Sequence, residues 1–134
     1  MAGSFSDYLE NAVLNHVFKK TSLSQPTNLY VALSTATLTD TATGTSLNGE
    51  VSGGSYARKG CNTWDSASGG ATQNTGPITF VSATAAWGTI KSFAVCDHLT
   101  TGNVLVWGTL SVNKAIGTGD TAKFATGAID ITLA

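Results

Sequence analysis

Apolar and polar residues alternate with a period of two through most of the chain after residue 55, the pattern of strands buried on one face. Turn signals at residues 101–103 (TGN) and 117–120 (GTGD) separate these segments at hairpin spacing. The expected strands are residues 28–34, 55–64, 78–81, 89–97, 104–112, 121–125 and 128–133. About seven or eight short strands predict a mainly β fold, an antiparallel two-sheet sandwich, and leave a jelly-roll topology open.

One α-helix is expected before the strands, over about residues 5–20. Its apolar stripe, at i, i+4, i+7, i+8, i+11 and i+12, consists of Phe5, Leu9, Ala12, Val13, His16 and Val17. Ser4 and Ser6 are the candidates to cap its first turn. Tyr8, Leu14 and Phe18 lie off the stripe, so they are candidate protein-interface residues. Contact with loop backbone of the same chain explains their position equally well.

Residues 1–134 are long enough for a single β-sandwich domain with its own core. Charged residues make up only 11% of the chain and the net charge is −1, so no strong field attracts nucleic acid or an anionic membrane. Sparse charge suits a protein that packs against others. No apolar run approaches the roughly 20 residues of a membrane span, and the start lacks the parts of a secretory signal. Cys61 and Cys96 are therefore expected to stay reduced thiols.

Residues 50–58 (EVSGGSYAR) are interpreted as a corner where the chain enters its sheets, because two adjacent glycines permit a sharp turn. Tyr56 and the only arginine, Arg58, follow this turn. They belong to a possible basic and aromatic patch, but seven basic against eight acidic residues argue against nucleic acid as its partner. Tyr56 and Arg58 are therefore added to the candidate protein-interface residues. Residues 35–49 are interpreted as a surface loop able to contact a neighbouring molecule.

The residues that can carry chemistry are few and scattered. Asp97 and His98 are adjacent, and adjacent strand residues point to opposite faces, so we expect a solvated turn pair rather than part of a catalytic triad. His16 has no second histidine or cysteine at i+4, and the aspartates do not form a calcium-loop pattern. We therefore expect no enzyme activity, no metal site and no cofactor.

Several stretches of the chain carry a family resemblance. They are residues 3–11 (GSFSDYLEN), 29–33 (LYVAL), 50–58, 87–89 (WGT) and 119–121 (GDT). With these motifs the chain resembles a family of small tailed-bacteriophage virion proteins that are described as tail-fibre proteins. Residues 93–97 (FAVCD) are a looser version of a segment that is richer in glycine and aromatics in the family. The resemblance implies a virion structural protein, made in the cytoplasm of the host bacterium.

Within the virion, a compact β domain without shaft repeats favours a capsid decoration or cement protein that stabilises the head shell. Its expected partners are the major capsid protein or other virion proteins and further copies of itself, as a dimer or trimer, with no nucleic acid and no membrane. The alternative is a tail-fibre or tail-tip protein with a structural or receptor-binding role. A glycan-degrading enzyme is a third hypothesis, which the scattered acidic residues count against.

Overall fold

The computed structural model describes residues 3–133. Its elements in chain order are β1 (Gly3–Phe5), α1 (Asp7–Leu14), a π-helical turn (Asn15–Lys19), β2 (Tyr30–Ser34), β3 (Lys59–Gly60), β4 (Ala71–Gln73), β5 (Ile78–Thr79), β6 (Gly88–Cys96), β7 (Val104–Ile116), β8 (Lys123–Phe124) and β9 (Asp130–Thr132). All pairings between these strands are antiparallel. The prediction of a mainly β, antiparallel fold with an N-terminal helix is confirmed.

The main layer is a five-stranded sheet in the order β1-β7-β6-β2-β3. The second layer consists of two separate two-stranded ladders, β4-β9 and β5-β8, and is thus smaller than the continuous second sheet that the sequence predicted. In β2, Val31, Ala32 and Leu33 are each at most 2% exposed. Because successive side chains of a strand point to opposite faces, this strand supplies two cores, one on each side of the sheet.

The larger core lies between the main sheet and the two ladders. Its buried members include Val31, Leu33, Phe80, Trp87, Ile90, Phe93, Val95, Val106 and Ile129. Aromatic rings join the layers, since Phe124 of β8 packs on Phe93 of β6 with ring centroids 5.5 Å apart. The edge of Tyr56 meets Trp87 at 5.4 Å. Trp87, which is 4% exposed, is therefore part of this core.

The smaller core covers the opposite face of the sheet and refines the interpretation of residues 35–49 as a surface loop. Leu38 and Leu47 of this segment are 2% and 8% exposed and pack with Ala32, Ala94, Cys96 and Val104. The segment is not a loop that lies free at the surface, because burial of two leucines holds it on its own sheet. Its two ends are also joined to each other, since Thr35 N–H donates to Gly49 O at 2.9 Å.

The boundaries of the helix and of some strands differ from the predicted ones. The helix begins at Asp7 instead of residue 5, because Phe5 belongs to β1 and pairs with Val106. The strand predicted over residues 55–64 is reduced to Lys59–Gly60, since Gly53, Gly54 and Ser55 all have positive φ and turn the backbone away. A Cβ atom at Gly54 would lie 2.7 Å from Ala85 O, so this corner requires glycine.

The ladder between β6 and β7 contains an irregularity at its middle. Ile90 pairs with Lys114 and Ser92 pairs with Thr109, so residues 110–113 of β7 bulge opposite the single residue Lys91. A bulge of this kind bends its strand and redirects the side chains on it. Within residues 3–133, no helix has the length and apolar character that crossing a membrane requires.

Candidate functional site

The start of α1 is held tightly on the main sheet. The Ser6 hydroxyl caps the helix by accepting a hydrogen bond from Leu9 N–H at 3.2 Å, and it donates to the carbonyl of Val104. The Ser6 N–H donates to Leu105 O at 2.9 Å, and Asp7 N–H donates to Asp40 O at 2.8 Å. Ser6 is fully buried. Of the two predicted caps, Ser6 is therefore correct, whereas Ser4 lies in β1.

The end of the helical segment is closed by its own backbone. Lys20 takes the left-handed conformation (φ 62°), and its N–H donates to Asn15 O. Thr21 N–H donates to the same carbonyl at 3.0 Å. His16 is exposed, and its Nδ1 accepts a hydrogen bond from Leu23 N–H at 3.1 Å, which ties the following chain back to the helix. His16 thus supports the helix end and does not pack in the core as its place on the apolar stripe suggested.

The outward side of this helical segment carries four large exposed apolar side chains. Tyr8, Leu14, Val17 and Phe18, called the helix surface below, are 41%, 54%, 48% and 77% exposed. Leu9 packs against the larger core. Leu9, Ala12 and Val13 are only half-buried, and no residue from Asp7 to Lys19 is fully buried. Clustered exposed apolar side chains are typical of protein-interaction sites. The structure thus places the candidates Tyr8, Leu14 and Phe18 at the surface, and their role as protein-interface residues stays a prediction.

The other two candidates, Tyr56 and Arg58, form a network with Glu50, called the Arg58 network below. Arg58 is 4% exposed, and its Nε and one terminal nitrogen donate to the two Glu50 carboxylate oxygens at 2.7 and 2.8 Å. This fork geometry is the strongest form of an arginine–carboxylate pair. The Tyr56 hydroxyl donates to Glu50 at 2.9 Å and accepts from Leu33 N–H at 3.0 Å.

The remaining donors of Arg58 bind backbone carbonyls of other segments. They donate to Gly44 O at 2.6 Å, His98 O at 2.9 Å and Thr101 O at 3.1 Å. All N–H groups of the guanidinium are therefore satisfied inside the chain. This corrects the sequence-based expectation that Arg58 and Tyr56 face a partner, since burial and saturated hydrogen bonding leave them to stabilise the fold.

Burial governs the ionisation of groups in and beside the Arg58 network. Desolvation raises the pKa of the Tyr56 hydroxyl well above its usual range, and the nearby Glu50 carboxylate raises it further. Desolvation alone would lower the pKa of Arg58, but the hydrogen bonds and charge of Glu50 help to outweigh it, so the net direction is upward. Desolvation also raises the pKa of the Cys96 thiol to about 11. These shifts favour a protonated thiol and phenol at neutral pH, so the network carries no reactive anion.

A groove lies where the bulge of β7 separates from β8, and sequence reasoning did not find it. It has a volume of about 560 Å³, within the range of small-ligand sites. Its wall and floor are largely apolar, with Leu33, Ile90, Leu110, Ile116 and Phe124 among them. Lys114 and Lys123 also line it, and no carboxylate does. The alternation of polar and apolar residues gave no signal for it, because the bulged residues 110–113 keep the appearance of a strand.

Asp97 and His98, the residues considered as part of a catalytic triad, form hydrogen bonds within a turn. Asp97 accepts hydrogen bonds from Asn103 N–H at 2.7 Å and from the Asn103 amide at 3.0 Å. His98 Nδ1 accepts from Thr100 N–H and Thr101 N–H, both at 3.1 Å. The predicted turn pair is confirmed. Throughout residues 3–133, no group of three or more His, Cys, Asp or Glu side chains is placed to hold a metal ion.

Cys61 and Cys96 are both buried and free, as the sequence predicted. Burial raises the pKa of the Cys61 thiol as well. Both thiols are thus protected from oxidants and from each other by the core.

Comparison with known proteins adds one finding. A family model described as "Podophage GP4 fiber I protein gp80" matches residues 4–132. No curated protein matches the chain. The matched range extends from β1 to β9, so it includes the helix surface, the Arg58 network and the groove.

Proposed function

The chain belongs to the family of the podophage GP4 fiber I protein gp80, and from this premise we propose that it is a structural component of a phage tail fibre. The match to a fibre family over residues 4–132 is the observation that carries the proposal. It supports the tail-fibre alternative better than the capsid decoration or cement role that its compact shape suggested. That head-shell role has no support from the family.

In this role the chain is non-enzymatic and works by contact with other virion proteins and with further copies of itself. The helix surface supports this, because Leu14 and Phe18 are 54% and 77% exposed on a segment whose start is fixed by buried hydrogen bonds. Exposed apolar side chains on a rigidly placed helix offer a ready anchor for a partner. Asp97 and His98 are already bonded within their own turn, which supports the absence of a catalytic role.

Immunogold labelling and cryo-electron microscopy of intact phage particles test the location. We expect the protein at the tail, with no copies on the head shell. Particles that carry it on the shell and not on the tail would overturn the proposal. As an internal check, phage that encodes the chain with Leu14→Ser and Phe18→Ser should assemble particles with less of this protein. The matched change Val81→Ser, at another residue that is 54% exposed, should leave its copy number unchanged.

A second candidate role is recognition of the host surface through the groove, and the lining of the groove favours it. An apolar floor with Lys114 and Lys123 and without carboxylates suits a ligand that combines an apolar part with an anionic group. Phage with Lys114→Glu and Lys123→Glu should then adsorb to host cells more slowly. Phage with Lys59→Glu, at an exposed lysine on β3, should adsorb as the parent does. Equal adsorption rates of the parent phage, the double variant and the Lys59→Glu variant would exclude this role.

A further inference from the structure

The outward side of the helical segment carries opposite charges at its two ends. Asp7 and Glu10 are exposed in the first turn of α1, and Lys19 and Lys20 are exposed at the end of the π-helical turn. Leu14 and Phe18 lie between them and are the most exposed apolar residues of the segment. The order along the helix is thus acidic, apolar, basic.

Helix geometry places these groups on one face. Leu14 follows Asp7 by seven residues and Phe18 follows Leu14 by four, which are the spacings of neighbours along a helix face. In a π-helical turn the hydrogen bonds run from i to i+5, so residues five apart are close neighbours and Lys19 lies near the same face as Leu14. Glu10 precedes Leu14 by four residues and Lys19 follows it by five, so the two charges are at nearly equal distances from Leu14.

We propose that this face binds the same face of a second copy of the chain, with the two helices antiparallel and a two-fold axis beside Leu14. Antiparallel packing reverses one helix, so the acidic start of each copy lies against the basic end of the other. The same patch then serves both subunits, as an isologous contact requires. This inference rests on the proposed function, in which the chain works through contact with copies of itself and other virion proteins.

Charge also argues against two other ways to cover this face with a second copy. Parallel helices would place Glu10 against Glu10 and Lys19 against Lys19, and such like-charge contacts are unfavourable. Docking the end of the helix into the groove of another copy would bring Lys19 and Lys20 to Lys114 and Lys123. The antiparallel pair is the arrangement in which each charged end meets its opposite.

Cysteine cross-linking of the full-length chain tests the geometry, because Cys61 and Cys96 are buried and leave the background low. Leu14→Cys lies beside the proposed axis and should form a disulfide-linked dimer under mild oxidation. Asp7→Cys should not link to itself, because the two copies of this residue lie at opposite ends of the pair. Linkage of both variants would indicate parallel helices and overturn the proposal, and so would linkage of neither.

Charge reversal tests the pairing independently. Glu10→Lys alone should weaken dimerisation about fivefold in analytical ultracentrifugation, because each of its symmetric copies then meets a lysine. Glu10→Lys combined with Lys19→Glu should restore it, since the pattern is inverted but remains complementary. Failure of the double variant to recover, with its circular dichroism unchanged, would refute the pairing. Both measurements are made on the purified protein and do not depend on where the protein lies in the virion. Failure of the dimer proposal can therefore be distinguished from failure of the proposed tail-fibre role.

Discussion

The Arg58 network buries a charged side chain, whereas the helix surface exposes apolar side chains. In the network, a guanidinium that is 4% exposed has every donor bonded to groups of its own chain. On the helix surface, Phe18 is 77% exposed. Soluble proteins usually keep arginine outside and phenylalanine inside. The reversal separates two tasks: directional bonds fix the fold, and exposed apolar area is left for assembly.

The network also shows why this fold needs a buried charge. The carbonyls that Arg58 binds belong to Gly44, His98 and Thr101, which lie in connections rather than in regular strands. Such connections have few ladder hydrogen bonds, here the isolated bridge between Thr43 and Asn103, so a fork of donors at a single point helps to hold them together. The helix surface has the opposite property, since its backbone is already satisfied by helical hydrogen bonds and only its side chains lack contacts.

The largest expected effect is the loss of the network. Arg58→Ala leaves the Glu50 carboxylate and the carbonyls of Gly44, His98 and Thr101 without their donor. Removal of one partner of a buried pair typically lowers the free energy of unfolding by about 3–5 kcal/mol. Urea denaturation followed by tryptophan fluorescence measures this change.

The neighbouring Lys59 provides the control for that measurement, because it is exposed. Lys59→Ala should change the free energy of unfolding by less than about 0.5 kcal/mol. Equal effects of the two substitutions would show that the contrast between the network and the surface is mistaken.

Alkaline pH should weaken the same region. The pKa of Cys96 is raised from 9.0 to about 11 in the folded chain, so between these values the unfolded state releases a proton that the folded state keeps. Stability is therefore complete below pH 9 and falls as the pH rises towards 11, by up to about 3 kcal/mol. The raised pKa of Tyr56 acts in the same direction at higher pH.

Denaturation curves at pH 8 and pH 10.5 measure this loss. Cys96→Ala should be less stable at pH 8 but should lose less stability between the two pH values. A parent and variant with the same pH dependence would show that the Cys96 thiol does not contribute to it.

Loss of the hydrogen bonds that fix the start of α1 on the main sheet should cost less free energy of unfolding. Ser6→Ala removes the cap of α1 and the hydrogen bond to the Val104 carbonyl, so we expect a loss of about 1–2 kcal/mol. Ser6→Thr keeps a hydroxyl and tests whether the hydrogen bonds or the small volume matter. The rate of hydrogen exchange of the α1 amides should rise in the alanine variant. An unchanged rate would show that the Ser6 cap does not stabilise the helix.

The sequence predicts the local elements of this protein and fails at contacts between distant segments. The period of two located β6, β7 and the turn at residues 101–103, and the helical spacing identified Leu14 and Phe18 as residues outside the core stripe. The Arg58 network joins residue 58 to residues 44, 50, 98 and 101, and no local pattern encodes that. A signal did exist, because a single arginine and a nearby glutamate are conspicuous in a chain with 11% charged residues.

The second core and the groove were missed for a related reason. Residues 35–49 contain six threonines and two glycines, so their composition predicts a loop, yet Leu38 and Leu47 bind the sheet through tertiary contacts. The bulge at residues 110–113 keeps the composition of a strand while its register changes. Composition and periodicity describe the backbone state of a segment, but they do not describe what the segment packs against.

The smallest expected effect on stability belongs to the helix surface, and it is the most informative for the comparison. Phe18→Ser should alter the free energy of unfolding of the monomer by less than about 0.5 kcal/mol, because a side chain that is 77% exposed loses little burial. The same change should reduce self-association in analytical ultracentrifugation. Val112→Ser, at a residue that is 67% exposed on the bulge of β7, should affect neither quantity. If Phe18→Ser destabilises the monomer as much as Ser6→Ala does, the phenylalanine belongs to the fold, and the division between a buried network that fixes the chain and an apolar helix surface that assembles it does not hold.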